Sequence, residues 1–448
     1  MNENTTKRKA DRQQDFVHWF RAASPYIRAH RGQTFVICFG GEAIIDPEFS
    51  HLIHDIALLS SLGIRLILVH GAEPQWATRL KDRGLEPQWA DGQRVVTEPV
   101  LDCAMEAACL VGLEVESWLS AGLPNSPMAG ARIRCASGNV VAAKPRGVRN
   151  GVDFGYSGEV RRVDAEPILA RLNNNEVVLL SPIGYSPTGE LFTVDPLDVA
   201  SSVAVAVNAG KLIFLMEKGE ARDSRGRLLR QITQTEAKDM LENAQAKERK
   251  SRLPIELDFA VKASRGGVHR THLINRHIPG ALVLELFSRD GIGTMVSAEP
   301  FDTLRKANIY DVGGILELIE PLENEGVLVR RSREKLETEI DHFKILIRDG
   351  AIIGCAALYP IAGDSSAELA CLAVHPDYRD QGRGNQLFES LARGAKTAGM
   401  KKIFVLTTQT EHWFLERGFR PVPVEDLPAP RKSMYNYQRK SKVFVKEL

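Results

Sequence analysis

The sequence predicts an α/β protein of two unlike domains: an open, mostly parallel sheet sandwiched by helices, followed by a smaller mixed α/β domain. Three observations carry this. Short apolar runs of strand length (Thr34–Phe39, Arg65–His70, 176–181, Lys211–Met216) alternate with segments of helical period, the pattern of strands covered on both faces by crossover helices. Past 298–302 the character changes, and runs at 343–347 and 352–359 flank Arg348-Asp349-Gly350, a hairpin signal. A chain of 448 residues also exceeds what one hydrophobic core spans.

Taken in order, residues 1–15 are polar and charged and read as a flexible leader, with no apolar core of signal-peptide type. Residues 16–27 place Phe16, Trp19, Phe20, Ala23 and Ile27 at helical spacing, an amphipathic helix. Strand 34–39 ends on Gly40-Gly41. Helix 48–62 closes at Gly63, strand 65–70 meets Gly71, and Pro74 suits the first turn of the next helix. Helices at 74–83 and 99–120 follow. Residues 131–145 alternate around Ser137-Gly138, which predicts a hairpin. Strand 176–181, helix 198–207, strand 211–216, a polar helical stretch 230–248, helix 255–264, strand 268–274, helix 281–287 and strand 292–296 complete a first domain of 16–297.

After a linker at 298–302, the second domain is expected over 303–448. It holds strand 304–309, helix 312–321, and helix 332–340 with Ser332 as N-cap. The hairpin, strand 369–374, helix 385–398, strand 402–406, a short helix near 411–417 and a strand pair within 433–446 follow.

The totals exclude several functions. Fifty-eight Lys and Arg against fifty-seven Asp and Glu give a net charge of +1, no footprint for nucleic acid or an anionic membrane. No apolar run approaches the roughly 18 residues of a membrane span. The six cysteines contain no C-x-x-C pair, so neither a metal site nor a redox pair is expected. Their low density in so long a chain points to a reducing, cytoplasmic setting.

The most informative stretch runs from Glu368 to Gly384. Its apolar run breaks at His375-Pro376, because the residue before proline avoids helical geometry. Arg379, Gly382 and Gly384 then lead into a helix. Strand, glycine-bearing turn and helix start form a cradle for phosphates on backbone N–H groups, and glycine lets the backbone approach closely.

The Arg379-x-x-Gly382-x-Gly384 turn, the strand order around it and the closing Gly418-Phe419 resemble the GNAT acyltransferase superfamily. The resemblance implies acetyl-CoA as cosubstrate, with no tightly bound cofactor and no metal. Leu372, Ala373 and Val374 would run along its pantetheine arm, and Arg379, Gln381, Gly382, Arg383 and Gly384 would meet its pyrophosphate. An N–H of Leu372 or Val374 would stabilise charge on the thioester oxygen. Glu368 would take the proton of an attacking amine. The tyrosine that protonates the departing thiolate in many such enzymes is here Phe414, and Thr407 is the substitute candidate.

The first domain resembles the amino-acid kinase fold. The matching residues are Gly40-Gly41, Val69-His70-Gly71, the 193–198 run Thr-Val-Asp-Pro-Leu-Asp, and Glu285-Leu-Phe followed by Gly291-Ile-Gly293-Thr294. Cys38 stands where those kinases keep a lysine, and Glu73 brings an anion to their second glycine loop. Both oppose phosphoryl transfer, so no kinase activity is expected.

The two domains together, with 307–311, 330–334, 371–378 and 435–442, resemble the bacterial N-acetylglutamate synthases. The resemblance implies acetylation of the glutamate α-amine at the head of arginine biosynthesis, with arginine as feedback inhibitor. Leu328, Arg330, Cys371, Arg439 and Ser441 would bind glutamate. Tyr26, His272, Glu285, Gly291 and Gly293 would bind arginine. A homo-oligomer is implied, a hexamer with helix 16–27 linking subunits. Two alternatives stand beside it: a GNAT enzyme for another amine or protein lysine, and a purely regulatory arginine-binding protein.

Overall fold

The computed structural model describes the chain except residues 1–2, 123–125, 218–220, 223–225, 247–254, 289–290, 299–301, 349 and 380–381. It divides into two compact units, Met1–Pro300 and Phe301–Leu448. Most of the linker and Gln381 therefore lie outside the described residues.

The first unit is built on an eight-stranded sheet. Its strands are β1 (Thr34–Phe39), β2 (Arg65–His70), β3 (Arg134–Ala136), β4 (Glu176–Leu180), β5 (Lys211–Met216), β6 (Gln231–Thr233), β7 (Arg270–Asn275) and β8 (Thr294–Ser297), in the spatial order β6-β8-β7-β5-β1-β2-β4-β3. All neighbours are parallel except β7 and β8. Every residue of β1 is buried, as its apolar run requires. The two-residue period sends Val36 and Cys38 into one core layer, and Phe35, Ile37 and Phe39 into the other.

Three expectations for this unit are corrected. The first helix runs Glu3–His30, so it takes in most of the expected leader. Residues 131–145 are not a hairpin. Arg134–Ala136 pairs parallel with β4, while Val141–Pro145 joins a separate four-stranded sheet against Gly158–Val163. The polar stretch 230–248 begins with the edge strand β6 before the helix Gln234–Ala246.

The second unit is one seven-stranded sheet. Its strands are β9 (Thr303–Lys306), β10 (Phe343–Arg348), β11 (Ala351–Pro360), β12 (Ser366–Val374), β13 (Lys402–Thr407), β14 (Arg420–Val422) and β15 (Lys442–Glu447), in the order β9-β10-β11-β12-β13-β15-β14. Only β12 and β13 pair parallel; the helix Arg383–Thr397 makes that crossover. Ser332 caps the helix Arg333–Glu339 as expected, its hydroxyl accepting from Lys335 N at 3.3 Å. The expected strand pair within 433–446 is a single strand, β15, which pairs with β13 and β14.

Candidate active site

The site forms where β12 and β13 part. Their parallel ladder spans Ser366–Leu369 against Lys402–Val405 and stops there, although β12 continues to Val374 and β13 to Thr407. On its other side β12 stays paired to β11 through Val374, with an irregularity at Cys371 and Leu372. Cys371 sits at φ 53°, a left-handed conformation rare outside glycine, which marks a bulge. The β13-facing edge of Cys371–Val374 thus lacks a strand partner, and buried backbone groups need one.

β12 leads into the glycine turn. Gly382 caps the helix Arg383–Thr397 at φ 77°, so a side chain there would be strained. The first turn of this helix carries no acid. A Cβ on Gly384 would stand 3.3 Å from the Trp413 ring. Arg417 stacks on that ring at 3.8 Å and holds Asn385 Oδ1 at 3.1 Å. No local signal in the sequence marks Trp413 and Arg417, on either side of Phe414. Phe414 is buried among Trp413 and Phe419, a core residue without proton chemistry.

Two expected phosphate ligands behave differently from each other. Arg379 is exposed and donates from Nε to Val374 O at 3.2 Å. Arg383 turns inward, which corrects its side chain's expected role. Its Nε donates to Asp302 at 2.6 Å, and the guanidinium lies 5.1 Å from the Tyr378 ring centre. A buried guanidinium needs its carboxylate, so this side chain anchors the turn from beneath.

Glu368 stands one residue before the ladder ends, opposite Tyr359 of β11. Arg431 grips it with two bonds, Nη2 to Oε1 at 3.0 Å and Nε to Oε2. Each carboxylate oxygen keeps a second lone pair for a water or an amine. Thr407 shares a 2.9 Å hydroxyl bond with Thr410 and accepts from Gln409 N and Thr410 N, so it closes the turn after β13.

Arg439 lies against the segment that leads into Arg330. Arg439 Nη2 reaches Gly326 O at 3.2 Å and Val327 O at 2.7 Å, beside Leu328. Leu328 packs in the same apolar cluster as Cys371. Ser441 is buried, and its carbonyl accepts from Tyr435 OH at 2.6 Å. Arg330 is exposed and touches Asn324 Oδ1 at 3.4 Å. Its neighbour Arg331 is the arginine seated inside, facing Cys371, Tyr359 and Glu339, with its Nε buried and unpartnered. The Cys371 thiol is held below its usual range by a hydrogen bond with Cys355 and by Arg331, against burial.

In the first unit, His272 and Glu285 meet at 2.6 Å between Nδ1 and Oε1. Lys211 Nζ stands 3.1 Å from His272 Nε2. Burial and then Lys211 push the imidazole's pKa down, so it is neutral, accepts a hydrogen bond from Lys211 at Nε2 and donates its Nδ1–H to Glu285. Burial opposes ionisation of Glu285, but His272 and the N–H groups of Gly293 and Ile292 outweigh it and bring the pKa to about 2. Those N–H groups lie 2.8 and 2.6 Å from Oε2. Gly291 is at φ 58°, and a Cβ there would come within 2.5 Å of the same carboxylate. Tyr26 is half-buried against the same layer, 6.4 Å from the His30 ring. Four of the five expected arginine ligands thus share one clasp: His272, Glu285, Gly291 and Gly293.

Comparison with known proteins agrees with both halves. Residues 33–275 match the amino acid kinase family, and residues 339–421 match the acetyltransferase (GNAT) domain. An amino-acid acetyltransferase of Pseudomonas putida is 49% identical over 434 residues, 97% of this chain and 100% of its own length. One from Azotobacter vinelandii is 50% identical with the same coverage. The crystal structure of N-acetylglutamate synthase from Neisseria gonorrhoeae, complexed with coenzyme A and L-arginine, superposes with a TM-score of 0.83 at 36% identity, covering 97% of this chain and 99% of that one. With such identity along the full length of both sequences, and a GNAT turn on a splayed strand, the chain belongs to the amino-acid acetyltransferase family, an enzyme class that here joins an amino-acid-kinase fold to a GNAT domain.

Proposed function

We propose that this chain transfers an acetyl group from acetyl-CoA to the α-amine of L-glutamate, releasing CoA and N-acetyl-L-glutamate. The observation that carries the reading is the edge of Cys371–Val374, left without a strand partner directly before the Gly382 turn. A pantetheine arm pairs with such an edge as an added strand would. Its pyrophosphate meets N–H groups at a helix start that bears no acid.

Glutamate binds with its carboxylates toward Arg330 and Arg439, beside Leu328, Cys371 and Ser441. Glu368 takes the amine proton, directly or through one water, while Arg431 keeps its carboxylate aimed. The nitrogen then attacks the thioester carbon, and an N–H of Leu372 or Val374 meets the oxyanion. Collapse breaks the C–S bond. Thr407 remains the candidate for relaying a proton to the thiolate.

Arginine inhibits from the His272, Glu285, Gly291 and Gly293 clasp, with Tyr26 as the fifth ligand, since an ionised carboxylate there suits a guanidinium. The kinase-like unit catalyses no phosphoryl transfer, because Cys38 lacks the needed cation and Glu73 adds an anion. The N. gonorrhoeae enzyme, crystallised with coenzyme A and L-arginine and also with coenzyme A and N-acetylglutamate, supports the reading. The test mixes protein, acetyl-CoA and single amino acids and follows free thiol. Glutamate-dependent release that arginine lowers and ATP leaves unchanged is expected. Release with lysine peptides alone, or with no acceptor tried, overturns it.

A further inference from the structure

Glu368 has a cation fixed on it by a stiff stretch of chain. Between β14 and β15, prolines stand at 423, 428 and 430, and each locks its own φ. Leu427 is buried, and the short helix Ala429–Lys432 holds Arg431 N on Pro428 O at 2.9 Å. The stretch thereby delivers Arg431 to Glu368, and Arg431 Nη1 donates to Met434 O at 3.2 Å. Among the described residues no other cation bonds to Glu368.

Those contacts do not exhaust the guanidinium. Nε and Nη2 each give one N–H to Glu368, and Nη1 gives one to Met434. Nη1 and Nη2 each keep a second N–H. The Arg431 side chain is 22% exposed against 15% for Glu368, so a molecule that reaches the carboxylate also reaches the arginine.

The chemistry of the acceptor decides what those donors meet. In an α-amino acid, the amine and the carboxylate share one carbon. An amine hydrogen-bonded to Glu368 therefore brings its own carboxylate to within about 5 Å of the base. Two carboxylates that close repel, unless one cation lies against both. When Glu368 takes up the amine proton it turns neutral, and Arg431 loses its counter-ion. A partly buried guanidinium left without a partner is costly. An α-carboxylate on its remaining N–H groups keeps it paired through the step.

We propose that Arg431 recognises the α-carboxylate of the acceptor, so that one guanidinium bridges base and substrate and the site selects α-amino acids among amines. The inference rests on the acetyl-transfer reading and adds a third cation to Arg330 and Arg439. Thiol-release kinetics at saturating acetyl-CoA test it, with three acceptors: L-glutamate, its α-amide (L-isoglutamine) and its side-chain amide (L-glutamine). The unaltered protein is expected to prefer glutamate over isoglutamine by about 100-fold in kcat/KM. In Arg431→Gln that preference falls by at least about tenfold, because only glutamate loses a charged partner. The preference over glutamine stays within about threefold of its former value. The comparison is between proteins, so the different basicity of the amines cancels.

Arg431→Lys keeps a charge and restores part of the preference for glutamate over isoglutamine. Circular dichroism and CoA binding check the fold of both variants, and Arg431→Lys decides if Arg431→Gln does not fold. The inference is overturned if the variants slow glutamate and isoglutamine equally, since Arg431 then only aims Glu368. It is also overturned if the preference over glutamine falls instead, or if neither preference moves. Those outcomes leave the acetyl-transfer reading standing. An absence of glutamate-dependent release from the unaltered protein overturns that reading and this inference together.

Discussion

Two glycine turns in this chain look alike in sequence and differ in the charge around them. Gly40-Gly41 follows β1, and Gly382-Arg383-Gly384 follows β12; each leads from a strand into a helix. At the first turn the helix Gly41–Ile45 has only five residues, with Glu42 in its first turn. The Glu42 carboxylate folds back to within 2.3 Å of where a Cβ on Gly40 would stand. Gln75 fills the space at Gly41, donating to its carbonyl at 2.8 Å. At the second turn the helix has fifteen residues and no acid in its first turn. Glycine spacing therefore states that a backbone can approach a ligand; the neighbouring charges decide whether an anion is welcome.

The largest effect expected is at the reacting end of the second turn. Glu368→Gln can keep one of the two hydrogen bonds from Arg431, through its amide oxygen, but removes the base, so kcat for acetyl transfer falls by about 10²–10⁴-fold with little change in glutamate KM. Steady-state kinetics at saturating acetyl-CoA read this, and an unchanged kcat would remove Glu368 from the mechanism. At the turn itself, Gly384→Val drives a branched side chain into Trp413, whose ring already lies 3.3 Å from the Cβ position. Displacement of the cradle lowers kcat/KM for acetyl-CoA by about 100-fold, and calorimetry with CoA shows a matching loss of affinity.

The first unit carries a pH signature rather than a catalytic one. Burial first, then Lys211, lowers the pKa of His30 to about 4, and burial lowers that of His70 to about 4, both from 6.5. In the unfolded chain these rings take up protons near pH 6.5, while the native ones stay neutral. Their contribution is whole above pH 6.5 and is lost as pH falls toward 4, at most about 3 kcal/mol per ring by linkage. Glu285, lowered to about 2 from 4.5, adds stability that is whole above pH 4.5 and fades as pH falls toward 2. Urea midpoints measured from pH 7.5 to pH 4 are expected to fall steadily. His30→Phe, which keeps ring packing on Phe35 and Phe287, flattens about half of the fall between pH 6.5 and 4. An equal slope in that variant assigns the drop elsewhere.

What could be read from the sequence follows the range of the forces involved. Strands buried on both faces, the Ser332 cap and the Gly382 turn depend on neighbours a few residues away, and the structure places them where local pattern put them. Alternation at 131–145 revealed strands but not partners, because β3 pairs with residues some forty positions on while Val141–Pro145 turns to another sheet. The Arg431 clamp joins residues 63 apart, and no local signal marks it. Arg330 and Arg331 are adjacent and chemically identical, so only the path of the chain decides that Arg331 goes inside. The family resemblance makes Arg383 a phosphate ligand; its buried ion pair with Asp302, 81 residues away, is equally invisible to local pattern.

The smallest predicted effect is also the most direct challenge to the comparison. Gly40 has φ −72°, which any residue adopts, and the atom nearest its added Cβ is the end of a flexible carboxylate. Gly40→Ala needs Glu42 to swing aside and nothing more. Acetyl transfer should stay within about twofold, and stability within about 0.5 kcal/mol, of the unaltered protein. Gly384→Val, in the other turn, should cost about 100-fold. Run side by side in the thiol-release assay, the pair separates two readings of one motif. If Gly40→Ala were to depress acetyl transfer as deeply as Gly384→Val does, the first turn would be part of the catalytic cycle, and the charge argument that sets it apart would fail.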